Sequence, residues 1–333
     1  MLKLERMEPT EQDVRAMDAF PDRVIFQTPE WGRFVATGAA VEPAIAAVKD
    51  GAATVGYFTG FVVRRFGIRI LASPMRGWST WYMGFNLAEH ASRREAAEAL
   101  ERYAFGSLGC LHLELRDRSL SLTDVDGLGY HHDLSWVYEV DLRGSEEEIF
   151  ARMTSACRRA IRKAQHSGVV IEEATDREFA DDYYAQLREV YAKQALVPGY
   201  GIDRVRALID VMQPTGRLLL LRARDPAGRC IATGIFPAMN TTAYFWGGAS
   251  WRAHQILRPN EAILWYAMRY WRRRGIQACD LGGGVERYKR KYGAETVYVP
   301  FLQKSRHDVL SRLRTLAKYG YQQRQRLRGR LAR

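Results

Sequence analysis

A chain of 333 residues with 47% apolar and 11% aromatic content has material for a packed interior and length for two domains of ordinary size, which excludes a disordered chain and a single small core. Its formal charge of +12 is uneven: from Gln303 to Arg333 there are ten Lys/Arg and one acid, Asp308, a local +9 that leaves +3 on the other 302 residues. Such a block suits nucleic acid, phosphorylated precursors or an anionic membrane face, with a solvated helix face as the plainer alternative.

The N-terminal stretch "MLKLERMEPTEQDVRAMD" is charged and lacks the apolar core of a signal peptide, and no apolar run reaches the ~20 residues of a membrane helix, so a cytoplasmic protein is expected. In the first half, "AIAAVKDGAATVGYFTGFVVRRFGIRILASP" (44–74) reads as strand, turn at "KDGA", strand and strand. A helix near Ala91 to Phe105 and a strand over 110–116 follow.

The second half repeats this order more clearly. Ser145 and Glu148 form a capping-box signature, and Ile149, Phe150, Met153, Cys157, Ala160, Ile161 and Ala164 recur at helical spacing to Gly168, predicting one helix. A helix over 176–194, the loop "ALVPGYGID" and a shorter helix over 205–212 come next. Three antiparallel strands are expected at 217–223, 230–238 and 242–249, then a helix at 260–275 capped by Asn260, and a strand at 277–283. Strand, hairpin, strand, helix, strand is an α/β order with one crossover, and its appearance twice predicts two related domains, 1–143 and 144–303.

The four cysteines, Cys110, Cys157, Cys230 and Cys279, form no CxxC pair and read as reduced thiols; Cys157 falls on the apolar stripe of its helix. His131 and His132 have no third ligand at metal spacing, so no metal is expected. The sequence contains no GxSxG, P-loop or GxGxxG fingerprint, which leaves hydrolase and nucleotide-kinase classes unsupported.

Four segments in order, "FQTPEWGRF" (26–34), "DLRGSEEEIFARMTSACRRAIRKAQHSGVVIEE" (141–173), "AYFWGGASWRAHQILRPNEAILWYAM" (243–268) and "DLGGGVERYKRKYG" (280–293), resemble landmarks of the Fem-type (FemAB-like) peptidoglycan-bridge aminoacyltransferases of the GNAT superfamily. The resemblance implies an α/β (α+β) chain of two tandem GNAT-like domains, each a mixed, mostly antiparallel sheet flanked by helices, with a C-terminal helix, 304–333, packing back on the first. It implies an acyltransferase that forms an amide between an aminoacyl group from aminoacyl-tRNA and an amine of a UDP- or lipid-linked muropeptide precursor. No cofactor is then needed beyond the tRNA co-substrate. An acyl-CoA-dependent N-acyltransferase of exopolysaccharide or envelope biosynthesis is the alternative, and a non-catalytic binder of RNA or anionic precursors is the alternative of another class. The charged tail adds the expectation of peripheral contact with the inner membrane surface. The sequence departs from family members at Arg159 and Ala160, where Asn is frequent, and at Arg33, with a lysine expected a little further on; both departures bear on the acceptor.

The same resemblance assigns residues. "YKRKYG" matches the family's aromatic–lysine motif and puts Tyr288 and Lys289 in the site, where Lys289 would hold an anion or steady an oxyanion. Read without it, the stretch is a solvated basic loop. Asp280, at a strand end, is a general-base candidate or a residue that only fixes the turn; Glu286 and Glu261 are further bases. Gln27, Trp31 and Arg33 would face the acceptor, with Tyr200 and Trp246 as substrate-binding aromatics. Arg159, Arg162 and Lys163, opposite the apolar stripe, together with Arg290 and Lys291 alternating outward, would hold RNA or phosphates. The coenzyme-A loop of GNAT enzymes, Q/R-x-x-G-x-G/A, corresponds to "RAHQILRPNEA" (252–262), which has no glycine.

Overall fold

The structure, a computed structural model, describes residues 1–65, 67–193 and 196–307. The chain divides into two units, Met1–Ser135 with the segment from Tyr298 onward, and Trp136–Val297. Among the described residues no helix is long and apolar enough to cross a membrane.

The first unit contains β1 (Lys3–Arg6), α1 (Glu11–Asp18), α2 (Pro29–Ala36), β2 (Val41–Pro43), β3 (Ala46–Asp50), β4 (Ala53–Thr59), β5 (Phe61–Arg65), β6 (Ile68–Ser73), β7 (Gly84–Leu87), α3 (Arg93–Arg102) and β8 (His112–Leu115). The segment 44–74 therefore forms four strands instead of three. Its middle run is cut at Gly60, where β4 joins the antiparallel set β1-β3-β4-β7 and β5 joins the set containing β2, β6 and β8. A Cβ on Gly60 would lie 2.9 Å from the Phe58 ring, so the corner needs glycine. α3, the strands and Leu302 enclose one core that includes Val48, Phe58, Phe85, Leu100 and Leu113.

Asp117 locks this unit from inside. Its carboxylate accepts the Phe85 N–H at 2.6 Å and the Ser119 N–H at 2.8 Å, with Arg93 Nη1 3.7 Å away. Gly84 holds φ +93°, and a Cβ there would fall 2.3 Å from the Asp117 Oδ2, so the close approach and the left-handed backbone both demand glycine.

The second unit contains β9 (His131–Asp141), which begins in the first unit, then α4 (Glu146–Arg152), α5 (Ser155–His166), β10 (Val170–Glu173), α6 (Phe179–Ala192) and α7 (Ile202–Met212). After these come β11 (Leu218–Arg224), β12 (Cys230–Met239), β13 (Thr242–Tyr244), β14 (Gly247–Ser250), α8 (Pro259–Arg272), β15 (Ala278–Asp280), α9 (Glu286–Arg290) and β16 (Glu295–Ser305), which ends in the first unit. The strands run β10-β11-β12-β13-β15-β9 with β14 also on β12, antiparallel except for the β13–β15 pair.

Alternation along β12 explains why nearly all of it is buried. Thr233 donates its hydroxyl to Gln186 of α6 at 2.8 Å, whereas a Cβ on the next residue, Gly234, would meet Ile263 of α8 at 2.8 Å. Helices cover both faces, so both sets of side chains are apolar or paired. Arg222 of β11 is buried but forms a two-pronged pair with Asp176 at 2.6 Å and a bond to Asp182 at 2.7 Å, tying the sheet to the start of α6.

Both unit boundaries fall inside strands, β9 and β16. This differs from the expected break at 143/144, because the extended run begins at His131, well before the capped helix. Lys304 lies in β16 and not in a terminal helix, and the remainder of that expected helix, 308–333, lies outside the described residues.

Burial pushes the Asp117 carboxyl up to about 6 despite Arg93 and two backbone donors. The folded chain thus binds that proton more tightly than the unfolded one. The stabilisation is full below about pH 4 and is lost as pH rises through about 6, a change of roughly 3 kcal/mol. Urea unfolding of wild type and Asp117→Asn across this window checks it: the stability difference should shift by that order, and a constant difference contradicts the assignment.

Candidate functional site

The segment expected as one helix, Ser145–Gly168, is two. Ser145 and Glu148 cap α4 reciprocally at 2.7 and 3.1 Å, as the capping box predicts. The helix then stops at Met153, and the Thr154 hydroxyl accepts the Cys157 N–H at 3.2 Å to start α5. The break is fastened from outside: the Thr154 N–H donates to the Lys291 carbonyl at 2.9 Å. Gly293, at φ +78°, brings the chain against Arg152, whose carbonyl oxygen would lie 3.0 Å from a Cβ at that glycine. Ile149, Met153, Cys157, Ile161 and Ala164 all enter the core, so the apolar stripe passes through the break uninterrupted.

The opposite side of α5 lines an open groove of about 1310 Å³, bounded by the start of α8 and by Val285–Lys291. Among the described residues its lining carries six cations, Arg159, Lys163, Arg258, Arg287, Arg290 and Lys291, against Glu261 and Glu286. Arg290 pairs with Glu286 at 2.6 Å and Lys291 with Glu261 at 2.7 Å. Arg159, Lys163, Arg258 and Arg287 form no ion pair among the described residues. Four uncompensated positive charges around one concavity make a field that attracts polyanions.

The entry to α8 differs from expectation. Arg258, in the left-handed region at φ 60°, occupies the cap, and Pro259 is the first helical residue. Asn260 instead donates to the Ser250 hydroxyl at 3.0 Å from within the first turn. The approach to the helix therefore presents an arginine side chain and a proline, not a row of bare amides.

Beside the groove, two parallel strands part. β13 pairs with β15 from Thr242–Ala278 to Tyr244–Asp280, and the Phe245 N–H still reaches the Asp280 carbonyl at 2.8 Å. The chains then diverge: β14 pairs with β12, whereas Leu281 donates to the Tyr138 carbonyl on β9 at 2.8 Å. Asp280 is fully buried and accepts the Gly282 N–H at 2.7 Å. Of its two expected roles, the geometry shows the turn-fixing bond.

Lys289 fills the fork. It lies on α9, a short helix where a loop was expected, and is 8% exposed. Its ammonium donates to the Leu281 carbonyl and stands 4.9 Å from the Phe245 ring. Burial lowers its pKa to about 8, with Asp280 opposing the shift. Lys289 is not among the groove-lining residues; it points inward, at the fork. The groove is served by Lys291, which turns in to Glu261 where an outward direction was expected, and by Tyr288, whose hydroxyl burial pushes well up. Arg290 is exposed, as expected.

The remaining expected residues scatter. Gln27 is buried, its side-chain oxygen accepting from the Val24 N–H and the Asn86 amide, each at 2.9 Å. Trp31 is completely buried between Phe26 and Phe34 and donates to the Thr80 hydroxyl at 3.0 Å. Both are core residues and cannot face an acceptor in this conformation; only Arg33 is exposed, and it pairs with Glu30 at 3.3 Å. Tyr200 bonds Tyr183 through their hydroxyls at 2.8 Å and packs 5.6 Å from the buried Trp246, away from the groove lining. Arg162 is exposed and stacks 5.4 Å from the Phe150 ring, leaving Arg159 and Lys163 as the groove-facing pair of α5. Arg258 and Arg287, which sequence reasoning missed, complete the cation set; the left-handed residue before Pro259 carries no sequence mark beyond that proline.

Because burial favours the neutral amine, the folded chain holds the Lys289 proton less tightly than the unfolded chain between pH 8 and about 10.4. Wild type should therefore gain roughly 3 kcal/mol of stability relative to Lys289→Met as pH rises across that window. Denaturant unfolding at stepped pH checks this, and a flat difference would place Lys289 in a solvated environment.

No curated protein matches the chain in sequence. Residues 151–290 match the family model described as acetyltransferase (GNAT) domain, a span that includes α5, Lys289 and the groove-lining residues other than Lys291. The crystal structure of FemX superposes with a TM-score of 0.73 at 13% identity, covering 89% of this chain and 96% of that one. A tandem GNAT protein from the clavulanic acid biosynthesis pathway gives a TM-score of 0.55 at 13% identity, over 92% and 98% of the two chains. L-PGS from Bacillus licheniformis gives 0.51 at 11% identity, over 84% and 92%. Residues 151–290 thus match a GNAT acetyltransferase domain, and the chain has a fold of the tandem GNAT type, shared with FemX.

Proposed function

We propose that the protein is an aminoacyltransferase that moves an aminoacyl group from aminoacyl-tRNA to an amine of a peptidoglycan or other cell-envelope precursor. The observation that carries this reading is the groove of the second unit, where Arg159, Lys163, Arg258 and Arg287, with no ion pair among the described residues, surround a space of about 1310 Å³. Phosphates of an acceptor stem match that charge pattern, with affinity from the backbone and no base reading. The fold shared with FemX and L-PGS supports the acyl-transfer class.

In the reaction, the acceptor amine attacks the ester carbonyl of the aminoacyl group. The carbon–nitrogen bond forms, the ester carbon–oxygen bond breaks, and the amine proton passes by way of solvent to the departing ribose oxygen. Lys289, protonated below about pH 8, is the charge that steadies the oxyanion, after its ammonium leaves the Leu281 carbonyl for the substrate. An ester donor is already activated, which makes a dedicated protein base dispensable. The acetyltransferase family match keeps acyl-CoA as the second reading of the donor. Placement beside the inner membrane surface, where lipid-linked precursors reside, belongs to the same proposal.

The deciding assay offers purified protein labelled aminoacyl-tRNA and, separately, acetyl-CoA, with UDP-linked and lipid-linked muropeptide acceptors, and follows amide product. Product from aminoacyl-tRNA is expected; product from the CoA donor alone contradicts the reading. Arg159→Glu with Lys163→Glu should raise KM for the tRNA donor at least about tenfold and flatten its salt dependence, with kcat little changed. Lys289→Met should lower kcat by about a hundredfold or more while far-UV circular dichroism stays native. Near-normal turnover in that variant would leave Lys289 a structural plug.

A further inference from the structure

Lys291 occupies a cage built for an ammonium ion. Its Nζ lies 2.7 Å from Glu261 Oε1, 4.2 Å from the centre of the Tyr288 ring and 5.1 Å from that of Tyr292. The two rings stand 5.7 Å apart at 74°, held by a 3.3 Å bond between their hydroxyls. One carboxylate and two aromatic faces converging on a single cation is the chemistry by which proteins recognise substituted ammonium groups. Glu261 is 8% exposed and, among the described residues, is the only buried acid of the groove lining. Here the guest is supplied by the chain itself.

The tether is also placed to let the guest go. The Lys291 backbone is pinned by its carbonyl to the Thr154 N–H at 2.9 Å, so its side chain can swing out by rotation alone, without moving α9. Swung out, its charge joins Arg159 and Lys163 along the groove wall. The exchange is neutral in charge: one ammonium leaves Glu261 and another arrives, so no buried carboxylate is stranded.

We propose that Glu261, Tyr288 and Tyr292 form a binding subsite for a primary alkylammonium, occupied in the resting protein by Lys291 and vacated when a substrate amine enters. Lys291 then acts as an intramolecular competitor with a high effective concentration, and the apparent affinity for the amine is reduced by the fraction of time the cage is filled. The inference rests on the groove being the substrate site, but its test is equilibrium binding and needs no turnover, so it fails or stands apart from the donor assay.

The test titrates n-butylammonium into the full chain by calorimetry and by thermal shift. Lys291→Ala should bind it saturably and at least about tenfold more tightly than wild type, and Glu261→Gln added to Lys291→Ala should abolish that binding. 1-Pentanol, neutral and of matching size, should not bind. If Lys291→Ala is destabilised, n-butylammonium should raise its Tm in a saturable way, which 1-pentanol should not do. Two further probes separate the source of the amine. Tighter binding of alanine methyl ester assigns the cage to the α-ammonium of an aminoacyl donor, and tighter binding of Nα-acetyl-lysine assigns it to an acceptor side chain. Absence of saturable ammonium binding by Lys291→Ala, with no Tm response, or equal binding in the Glu261→Gln double variant, overturns the proposal.

Discussion

The hydrogen bond from Phe245 to the Asp280 carbonyl is the last that two parallel strands of the second unit share, and the site is arranged around what happens beyond it. Parallel strands that separate leave backbone groups facing a gap, and unpaired buried carbonyls are costly. The Leu281 carbonyl is satisfied by the Lys289 ammonium, supplied from the short helix that follows the glycine turn. That arrangement places a buried, weakly basic lysine at the mouth of the fork. Its stability cost is the same property that makes its charge available to a developing oxyanion in a dry setting.

Two lysines two residues apart on this turn divide the work. Lys289 faces the fork, and Lys291 faces the groove and is held by Glu261 and two tyrosine rings. The short helix α9 and the residue that caps it thereby present Lys289 to the fork and Lys291 to the groove, because residues two apart along a helical turn point to different sides. The helix break at Met153–Thr154 serves the same end, since the Lys291 carbonyl is the acceptor that fixes the new N-terminus. Arg159 and Lys163 then line the groove from a helix whose other face is core.

Much of this was legible in the sequence and some was not, for identifiable reasons. The capping box, the strands near 217–223 and 230–238 and the helix before β15 follow from periodicity and turn chemistry, whereas the strand expected at 242–249 is split into β13 and β14. The repeated order of elements points to paired domains, and their GNAT type follows from the resemblance of the four landmark segments. The break in the Ser145–Gly168 helix was hidden because Met153 and Cys157 keep helical spacing across it, so the apolar stripe reads as continuous. Trp31 and Gln27 were placed toward an acceptor although a tryptophan's ring and a glutamine's amide are equally at home in a core with Thr80 or Asn86 as partner. The inward turn of Lys289 and Lys291 left no trace, because "ERYKR" is uniformly polar and its burial is imposed by contacts distant in sequence. Of the basic tail, the strongest electrostatic feature of the sequence, only residues 303–307 are among the described residues, and 308–333 lie outside them.

Hydrogen–deuterium exchange of the full chain with and without a non-hydrolysable aminoacyl-tRNA analogue tests the central claim, that the groove of the second unit receives the acyl donor. The account predicts protection concentrated in peptides covering 154–163 and 285–291, growing weaker as salt is raised. Protection confined to the first unit, with those two segments unchanged at saturating ligand, would contradict it.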